Sequence, residues 1–449
     1  MSDNTKAIKM DMLNGSLSPN LIRFSLPIAA STILQQLFNS ADVAVVGRFA
    51  GSEALAAVGA NVANVGVFVN LIVGLAIGPN VVMSMLIGQG RLKEVNKVVH
   101  NIITFAIVLG LGLMALGMLL ARPILVLTST PDNILDAAWK YLMIYLAGIP
   151  FIMLYNFGSS ILRSIGDSKR PLYALLVGGI VNVILNLFFV IVLHMQVTGV
   201  ALATVLSNVL SAGIVLFIIM HESEVIRFSF SKIRLDSQIL KRILIIGVPS
   251  GIQYMIFSVS NIFIQAGINS FGNDAIAGSV AALNFEYFTY AIAAAFAQAT
   301  ITFTSQNYGA RKYDRCSKVF WLTLLYGALF TGILAGIFSL WRRTFIGIYT
   351  TDEAVIAYGI IRMTHVVTYE AITAFTDVPA AALRGIGYSV APAVISVIGT
   401  VGFRLVWMVT IFKMFPTFEV LMDVYPISWV VIGTTTAVLY LILRRRKFV

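Results

Sequence analysis

The chain has 449 residues, 58% of them hydrophobic and only 11% charged, with 31 Lys and Arg against 20 Asp and Glu. Soluble domains carry about 25% charged residues, so a water-covered globule of this length is excluded. The formal charge of +11 does not read as a nucleic-acid footprint, because the basic residues fall in short loops between long apolar blocks, the positive-inside arrangement.

About 20 apolar residues cross a bilayer core, and a backbone in lipid must satisfy its own hydrogen bonds. The apolar blocks therefore predict helices, and the fold class is an all-α integral membrane protein. Twelve spans are expected in chain order: 21–47, 54–86, 95–120, 134–160, 171–193, 198–220, 241–270, 275–305, 317–340, 354–381, 389–412 and 425–443. The first block, from Leu21 to Val46, is too long for the core of a signal peptide and no small-residue cleavage pattern follows it, so it is read as a span. Pro27, Pro150, Pro249 and Pro379 lie inside spans, where each removes a helix hydrogen bond and can bend the helix; Pro27 and Pro249 are the hinge candidates. Gly74/Gly78 and Gly332/Gly336 predict close helix packing. Cys316, the single cysteine, is expected as an inert thiol in a loop.

Loops after even-numbered spans carry most of the cations, among them Arg91, Lys93 and Lys97, then Arg227, Lys232, Arg234, Lys241 and Arg242, and the tail ends Arg444-Arg445-Arg446-Lys447. This asymmetry places both termini in the cytoplasm. The stretch Leu162-Arg163-x-Ile165-Gly166-x-Ser168-x-x-Pro171 recurs as Leu383-Arg384-x-Ile386-Gly387-x-Ser389-x-x-Pro392. The same register relates Gly51 to Gly272 and, one residue shifted, Pro27 to Pro249. The chain thus reads as a duplication: an N-terminal six-helix bundle over 1–220, a linker over 221–240, and a C-terminal six-helix bundle over 241–449. Halves with an even number of spans share one orientation and are related by a pseudo-twofold axis along the membrane normal, an arrangement of secondary transporters.

A charge at mid-membrane costs about 3 kcal/mol or more, so intramembrane acids are functional candidates. In span 1, Gln35, Asn39 and Asp42 share a face. Asn182 and Asn186 in span 5, and Thr204, Asn208 and Ser211 in span 6, form similar stripes. A carboxylate among amide and hydroxyl oxygens can bind Na⁺, as a hard cation prefers oxygen, or exchange a proton; alternatively Asp42 only caps span 1. Asp42, Asn182, Asn186, Thr204 and Asn156 form the expected ion-coupling set, with Asp42 as the ligand if Na⁺ is the ion. In the second half Glu370, Thr373 and Asp377 share a face, Glu286 and Tyr290 are one turn apart, and Gln253, Phe257 and Asn261 follow at four-residue spacing. Carboxylates with aromatics suit an organic cation, while the alternative is an internal ion pair with Arg362, Arg404 or His365. Gln35, Asn39, Asn61, Gln253, Phe257, Glu286, Tyr290, Glu370 and Asp377 form the expected substrate set. The repeat sets Asn182 against Phe403, Asn186 against Trp407, Asp42 against Ile264 and Glu286 against Val65, which predicts two unlike polar sites. No phosphate loop, metal-spaced His/Cys cluster or nucleophile elbow occurs, so no enzyme activity and no cofactor beyond a coupling ion are expected.

The stretches FNSADVAVVGRFAGSEALAAVG, from Phe38 to Gly59, and QATITFTSQNYG, from Gln298 to Gly309, together with the paired Leu-Arg-x-Ile-Gly motifs, resemble the MATE family of multidrug and toxic-compound extruders, and within it the DinF-like bacterial branch. The resemblance implies twelve helices in two bundles and efflux driven by inward Na⁺ or H⁺ from a bacterial plasma membrane. It matches Asp42 to the family's span-1 acid, and Asp42, Asn182, Asn186 and Thr204 to the branch's N-lobe cation site. It also matches Glu286 to the acid before the Gln-Asn motif and Pro27 to the bend of span 1. That branch often has Asp where this chain has Asn186, which weakens the case for tight Na⁺ binding. The expected partners are a cationic amphipathic small molecule and the lipid bilayer, with the protein a monomer. A flippase for a lipid-linked precursor and a channel or scaffold are the alternatives.

Overall fold

The structure, a computed structural model, describes residues 8–128 and 130–448. The described chain is helical: α1 Leu17–Phe49, α2 Ser52–Leu75, α3 Ile77–Gly88, α4 Leu92–Leu127, α5 Asp132–Ala147, α6 Ile149–Ser164, α7 Lys169–Leu187 and α8 Gln196–Met220, then α9 Ser237–Asn269, α10 Asn273–Gly309, α11 Tyr313–Leu340, α12 Arg342–Gly347, α13 Glu353–His365, α14 Ile372–Gly385, α15 Val390–Val397, α16 Phe403–Val409, α17 Ile411–Met414 and α18 Phe418–Lys447. Among the described residues ten helical segments are long and apolar enough to cross a membrane. The pair α5 and α6, bent by 41° where Gly148 and Pro150 interrupt the run, makes an eleventh. The remaining expected span, 354–381, is α13 and α14 joined through a 3₁₀ turn at Val367–Tyr369. It is less apolar because it and its flank carry Arg362, His365, Glu370, Asp377 and Arg384.

The repeated Leu-Arg-x-Ile-Gly motif is a helix terminator. Gly166 and Gly387 have φ of 90° and 93°, which a side chain resists. In both copies the turn closes identically: Gly166 N–H donates to Arg163 O and Asp167 N–H to Leu162 O, while Gly387 N–H donates to Arg384 O and Tyr388 N–H to Leu383 O. This is the Schellman closure of a helix end. The leucines are fully buried, so the motif ends one helix and pins its last turn to the core. Gly51 and Gly272, at φ 89° and 90°, precede α2 and α10 in the same equivalent way.

The chain forms two compact units. One contains the described residues up to Asp11 and Ala30–Gly251; the other contains Met12–Ala29 and Ile252–Val449. Each change of membership within a helix comes just after a proline, Pro27 in α1 and Pro249 in α9. The linker 221–240 belongs to the first unit. There α2 and α3 meet the start of α9 backbone to backbone. A Cβ on Gly74 would stand 2.6 Å from Gly251 Cα, and one on Gly78 would collide with Ile243 O. The Gly332/Gly336 pair does not pack this way: a Cβ on Gly336 meets nothing within 4 Å. Small residues permit close approach, but only a facing backbone uses it. Cys316 lies fully buried inside α11 rather than in a loop, because the helix begins at Tyr313, earlier than the expected span.

One end of the first unit is fastened by a charged knot. Arg170 donates to both Asp167 and Glu222, and Lys9 Nζ stands 3.1 Å from Glu222 Oε1. Burial pushes the Glu222 carboxyl up, but the Arg170 and Lys9 contacts outweigh it and hold it below its ordinary value. A lowered carboxylate stabilises the fold fully above the ordinary glutamate range and loses that contribution as pH falls through the lowered value. Glu222→Gln is expected to cost about 1–2 kcal/mol at pH 7. Melting the purified protein in detergent should show a lower midpoint for the variant at pH 7 and a gap that narrows as the pH falls below the ordinary glutamate range; a gap of equal size at both ends of that range would contradict this account.

Candidate functional site

In the first unit α1, α7 and α8 are brought together by two glycines. A Cβ on Gly179 would fall inside the Phe38 ring, and one on Gly178 would collide with Ser211 Oγ. Both positions must therefore stay small for α1 and α8 to lie against α7. One turn beyond Phe38 on α1 is Asp42, and one and two turns beyond Gly178 and Gly179 on α7 are Asn182 and Asn186. Asn186 Nδ2 donates to Asp42 Oδ1 at 2.5 Å, and Thr204 Oγ1 of α8 donates to Asp42 Oδ2 at 3.3 Å. Asn186 Nδ2 also donates to Asn182 Oδ1 at 3.2 Å, so three helices share one chain of hydrogen bonds. Asn186 is fully buried and its Oδ1 has no hydrogen-bond partner. Among the described residues Asp42 has no ion-pair partner, so neutral donors alone hold its carboxylate.

A single π-helical turn, Phe188–Val192, follows Asn186; such turns rotate the residues that flank them and recur at functional sites. Tyr141 and Tyr145 of α5, stacked with ring centroids 6.2 Å apart, lie close enough to Asp42 for its charge to act on both hydroxyls. Their one-turn spacing is legible in the sequence, but two aromatics on an apolar helix read there as packing. Asn156 donates to Ile152 O of its own helix and Asn61 to Ala57 O and Ala138 O, so neither reaches Asp42 through a hydrogen bond. Gln35 and Asn39 are exposed on α1.

The second unit holds a different cluster. Arg362 of α13 grips Glu286 of α10 through Nε to Oε1 at 2.5 Å and Nη2 to Oε2 at 3.0 Å, with both residues buried. The internal ion pair left open by the sequence is what the structure shows for Glu286. Arg404, buried after the π-helical turn Ile398–Gly402, donates to Asn261 Oδ1 and packs over Phe257 and Tyr425. Arg384 donates to Gln253 Oε1 at 2.6 Å and packs over Tyr254. The Nε atoms of Arg384 and Arg404 lack partners. Asp377 lies within electrostatic reach of Tyr290 and Arg384, while the neighbouring Thr376 hydroxyl donates to Thr373 O. Glu370 is buried with Oε2 unpartnered, within electrostatic reach of Glu286, Arg362 and Asp377. His365 pairs with Asp423 at 2.6 Å, a contact hidden in sequence because Asp423 precedes the apolar stretch of the last span. Three acids thus sit among three arginines.

Removing one member of a buried pair strands the other charge, at about 3–5 kcal/mol. Glu286→Gln and Arg362→Gln should each lower thermal stability strongly, and the double variant should recover most of the loss. Three equal losses in detergent melts would assign Glu286 a role outside the pair.

The chain is 27% identical to the probable multidrug resistance protein NorM of Thermotoga maritima, over 84% of this chain and 82% of that one. It is 24% identical to the FAD transporter of Shewanella oneidensis, over 77% of each. A multidrug resistance MATE family transporter of the MOP superfamily, in its outward-facing conformation, superposes with a TM-score of 0.88 at 21% identity, covering 99% of this chain and 98% of that one; this likeness concerns the fold. The MatE family model matches twice, at residues 27–188 and 249–410, each match beginning at one of the paired prolines and the two standing within one residue of the register of the internal repeat. The chain is a member of the MatE family, with one copy of the family's unit in each half.

Proposed function

We propose that this membrane protein exports small organic molecules from a bacterial cytoplasm, with both termini on the cytoplasmic side, in exchange for a proton carried by Asp42. The observation that carries this reading is a lone carboxylate that reaches two further helices through neutral hydrogen bonds alone. A proton on Asp42 changes those bonds directly, because a protonated oxygen donates where the carboxylate accepted. The helices α1, α7 and α8 then repack according to occupancy, and an ion drives transport only if its affinity differs between the two states. Sodium would require several oxygen acceptors, whereas Asn186 and Thr204 turn donors towards Asp42.

The substrate favoured by the second unit is an organic cation, drawn by Asp377 and the unpartnered oxygen of Glu370 and sandwiched by aromatic rings such as Tyr254 and Tyr290. A second reading, an aromatic anion, is supported by the unpartnered Nε atoms of Arg384 and Arg404 and by kinship with a transporter of FAD, a flavin bearing phosphates.

Reconstitution into liposomes separates these possibilities. With a pH gradient or a Na⁺ gradient imposed alone, a fluorescent organic cation should accumulate under the pH gradient only, and Asp42→Asn should reduce accumulation at least tenfold. Thr204→Val, which removes the longer of the two donors, should reduce it by only about two- to fivefold, in line with the net worth of one long hydrogen bond. Transport driven by Na⁺ alone would replace the proton assignment, and uptake of a fluorescent aromatic anion with no cation uptake would favour the second substrate reading.

A further inference from the structure

At the end of the first unit away from Asp42, the linker that follows α8 does not trail free. It is stitched to the first turns of α4. Asn96 Nδ2 donates to Glu224 O at 2.8 Å and Arg227 O at 3.0 Å. His100 Nε2 accepts from Ser229 N–H at 3.1 Å, so this nitrogen is unprotonated and Nδ1 is free to donate to Asn96 O, 2.8 Å away. Asn101 Oδ1 accepts from Asp236 N–H at 2.5 Å. His100 is buried beneath Phe228, ring centroids 5.2 Å apart. Three polar residues within two turns thus hold the linker from Glu224 to Asp236 in one course.

Between linker and helix lies an open groove of about 480 Å³ lined by Asn96, Lys97, His100, Lys232, Arg234 and Asp236, with Ile233 and Leu235 along it. Its charge is mainly positive, three cations against one carboxylate. The Asp236 carboxylate is occupied, since Oδ1 accepts from Gln238 N–H at 2.9 Å and Ile239 N–H at 3.3 Å to begin α9. Lys97, Lys232 and Arg234 are exposed, and none of them has an ion-pair partner among the described residues. Beside these cations Phe230, Ile233 and Leu235 expose 54%, 52% and 48% of their surface. One short surface therefore carries three unneutralised cations and three bare apolar side chains, next to the end of a membrane-spanning helix. Water is a poor medium for the second set and an anionic bilayer surface suits both.

We propose that this groove binds the phosphate of an anionic phospholipid in the cytoplasmic leaflet, with Lys97, Lys232 and Arg234 on the headgroup and Phe230, Ile233 and Leu235 inserted among the first acyl carbons. The proposal rests on the orientation with cytoplasmic termini. A bound lipid ties the linker, and with it the start of α9, to the membrane plane. Each basic residue near an anionic membrane surface is worth about fivefold in affinity, roughly 1 kcal/mol.

The test uses the full-length protein in detergent, titrated with phosphatidylglycerol or phosphatidylcholine and read by native mass spectrometry. One phosphatidylglycerol should be retained in preference to phosphatidylcholine. Lys97→Gln should weaken it about fivefold, and the triple variant K97Q/K232Q/R234Q should abolish the preference while melting as the wild type does. Arg122→Gln, in an exposed pair with Asp136 at the far end of α4, is the control and should leave binding unchanged. Equal retention of both lipids, or an unaltered preference in the triple variant, overturns the proposal. Displacement of the lipid by millimolar inorganic phosphate would show an anion site indifferent to the acyl chains and also overturn it. Loss of lipid preference in Arg122→Gln would mean a diffuse charge effect instead of this groove. None of these readouts involves transport, so their failure is separate from failure of the exchange mechanism.

Discussion

The structure depends on the cost of placing charge where water is absent. A buried charge must find a partner, a set of aligned dipoles or a proton, and the two units meet this demand in different ways. The second sets three arginines among three acids, closes one pair with two hydrogen bonds and covers guanidinium groups with aromatic rings. The first offers Asp42 an amide and a hydroxyl and no counter-charge among the described residues. A group balanced by fixed opposite charge changes its state reluctantly. A carboxylate held only by neutral donors can lose or gain a proton without stranding a partner, and that difference is why the proposed exchange is placed in the first unit.

Both solutions are mounted on one repeated frame. The helix terminators at Gly166 and Gly387 have nearly the same backbone angle and the same two hydrogen bonds, and the entries to α2 and α10 use positive-φ glycines at equivalent positions. These are backbone requirements, and backbone requirements survive duplication because few residues meet them. Side chains in the spaces between helices are less constrained. At the positions opposite Asn182 and Asn186 stand Phe403 and Trp407, and Trp407 gives its indole N–H to Val420 O, filling with an aromatic ring the place where the first unit keeps amides. The π-helical turns also differ in position, following Asn186 in one half and preceding Arg404 in the other.

Much of this is legible in sequence, for reasons that also mark where legibility stops. Span number and duplication come from apolar length and from glycines at fixed spacing, both properties of local sequence. Asp42, Asn182, Asn186 and Thr204 can be grouped because each lies on a stripe of helical period, and three stripes too polar for lipid have to converge. Partner choice among charges is a different matter. Glu286 and Arg362 are 76 residues apart, and nothing local says that Arg362 prefers Glu286 to Glu370. Arg384 is concealed by its own motif: it lies beyond the expected end of its span at 381, whereas the terminator holds it inside the last turn of α14, from which it reaches Gln253 and Tyr254. The assignment of each helix start to the opposite unit is equally hidden, since residues 12–29 and 237–251 carry no compositional break from the helices they continue.

The prolines set where α1 can yield. A proline in a helix interior leaves a carbonyl without its usual donor and weakens the rod at that point. In α1 this weak point lies between Met12–Ala29, which belongs to the second unit, and the run bearing Phe38 and Asp42, which belongs to the first. A change at Asp42 alters the hydrogen bonds of α1 with α7 and α8, so the part of α1 from Ala30 onward is the part that must adjust. With a rigid helix the adjustment would have to move the early turns too, and these are packed through Phe24 on Phe303. A proline close to the junction lets one segment move while the other keeps its packing, so under the proposed exchange a proton at Asp42 would act on helix position within its own unit.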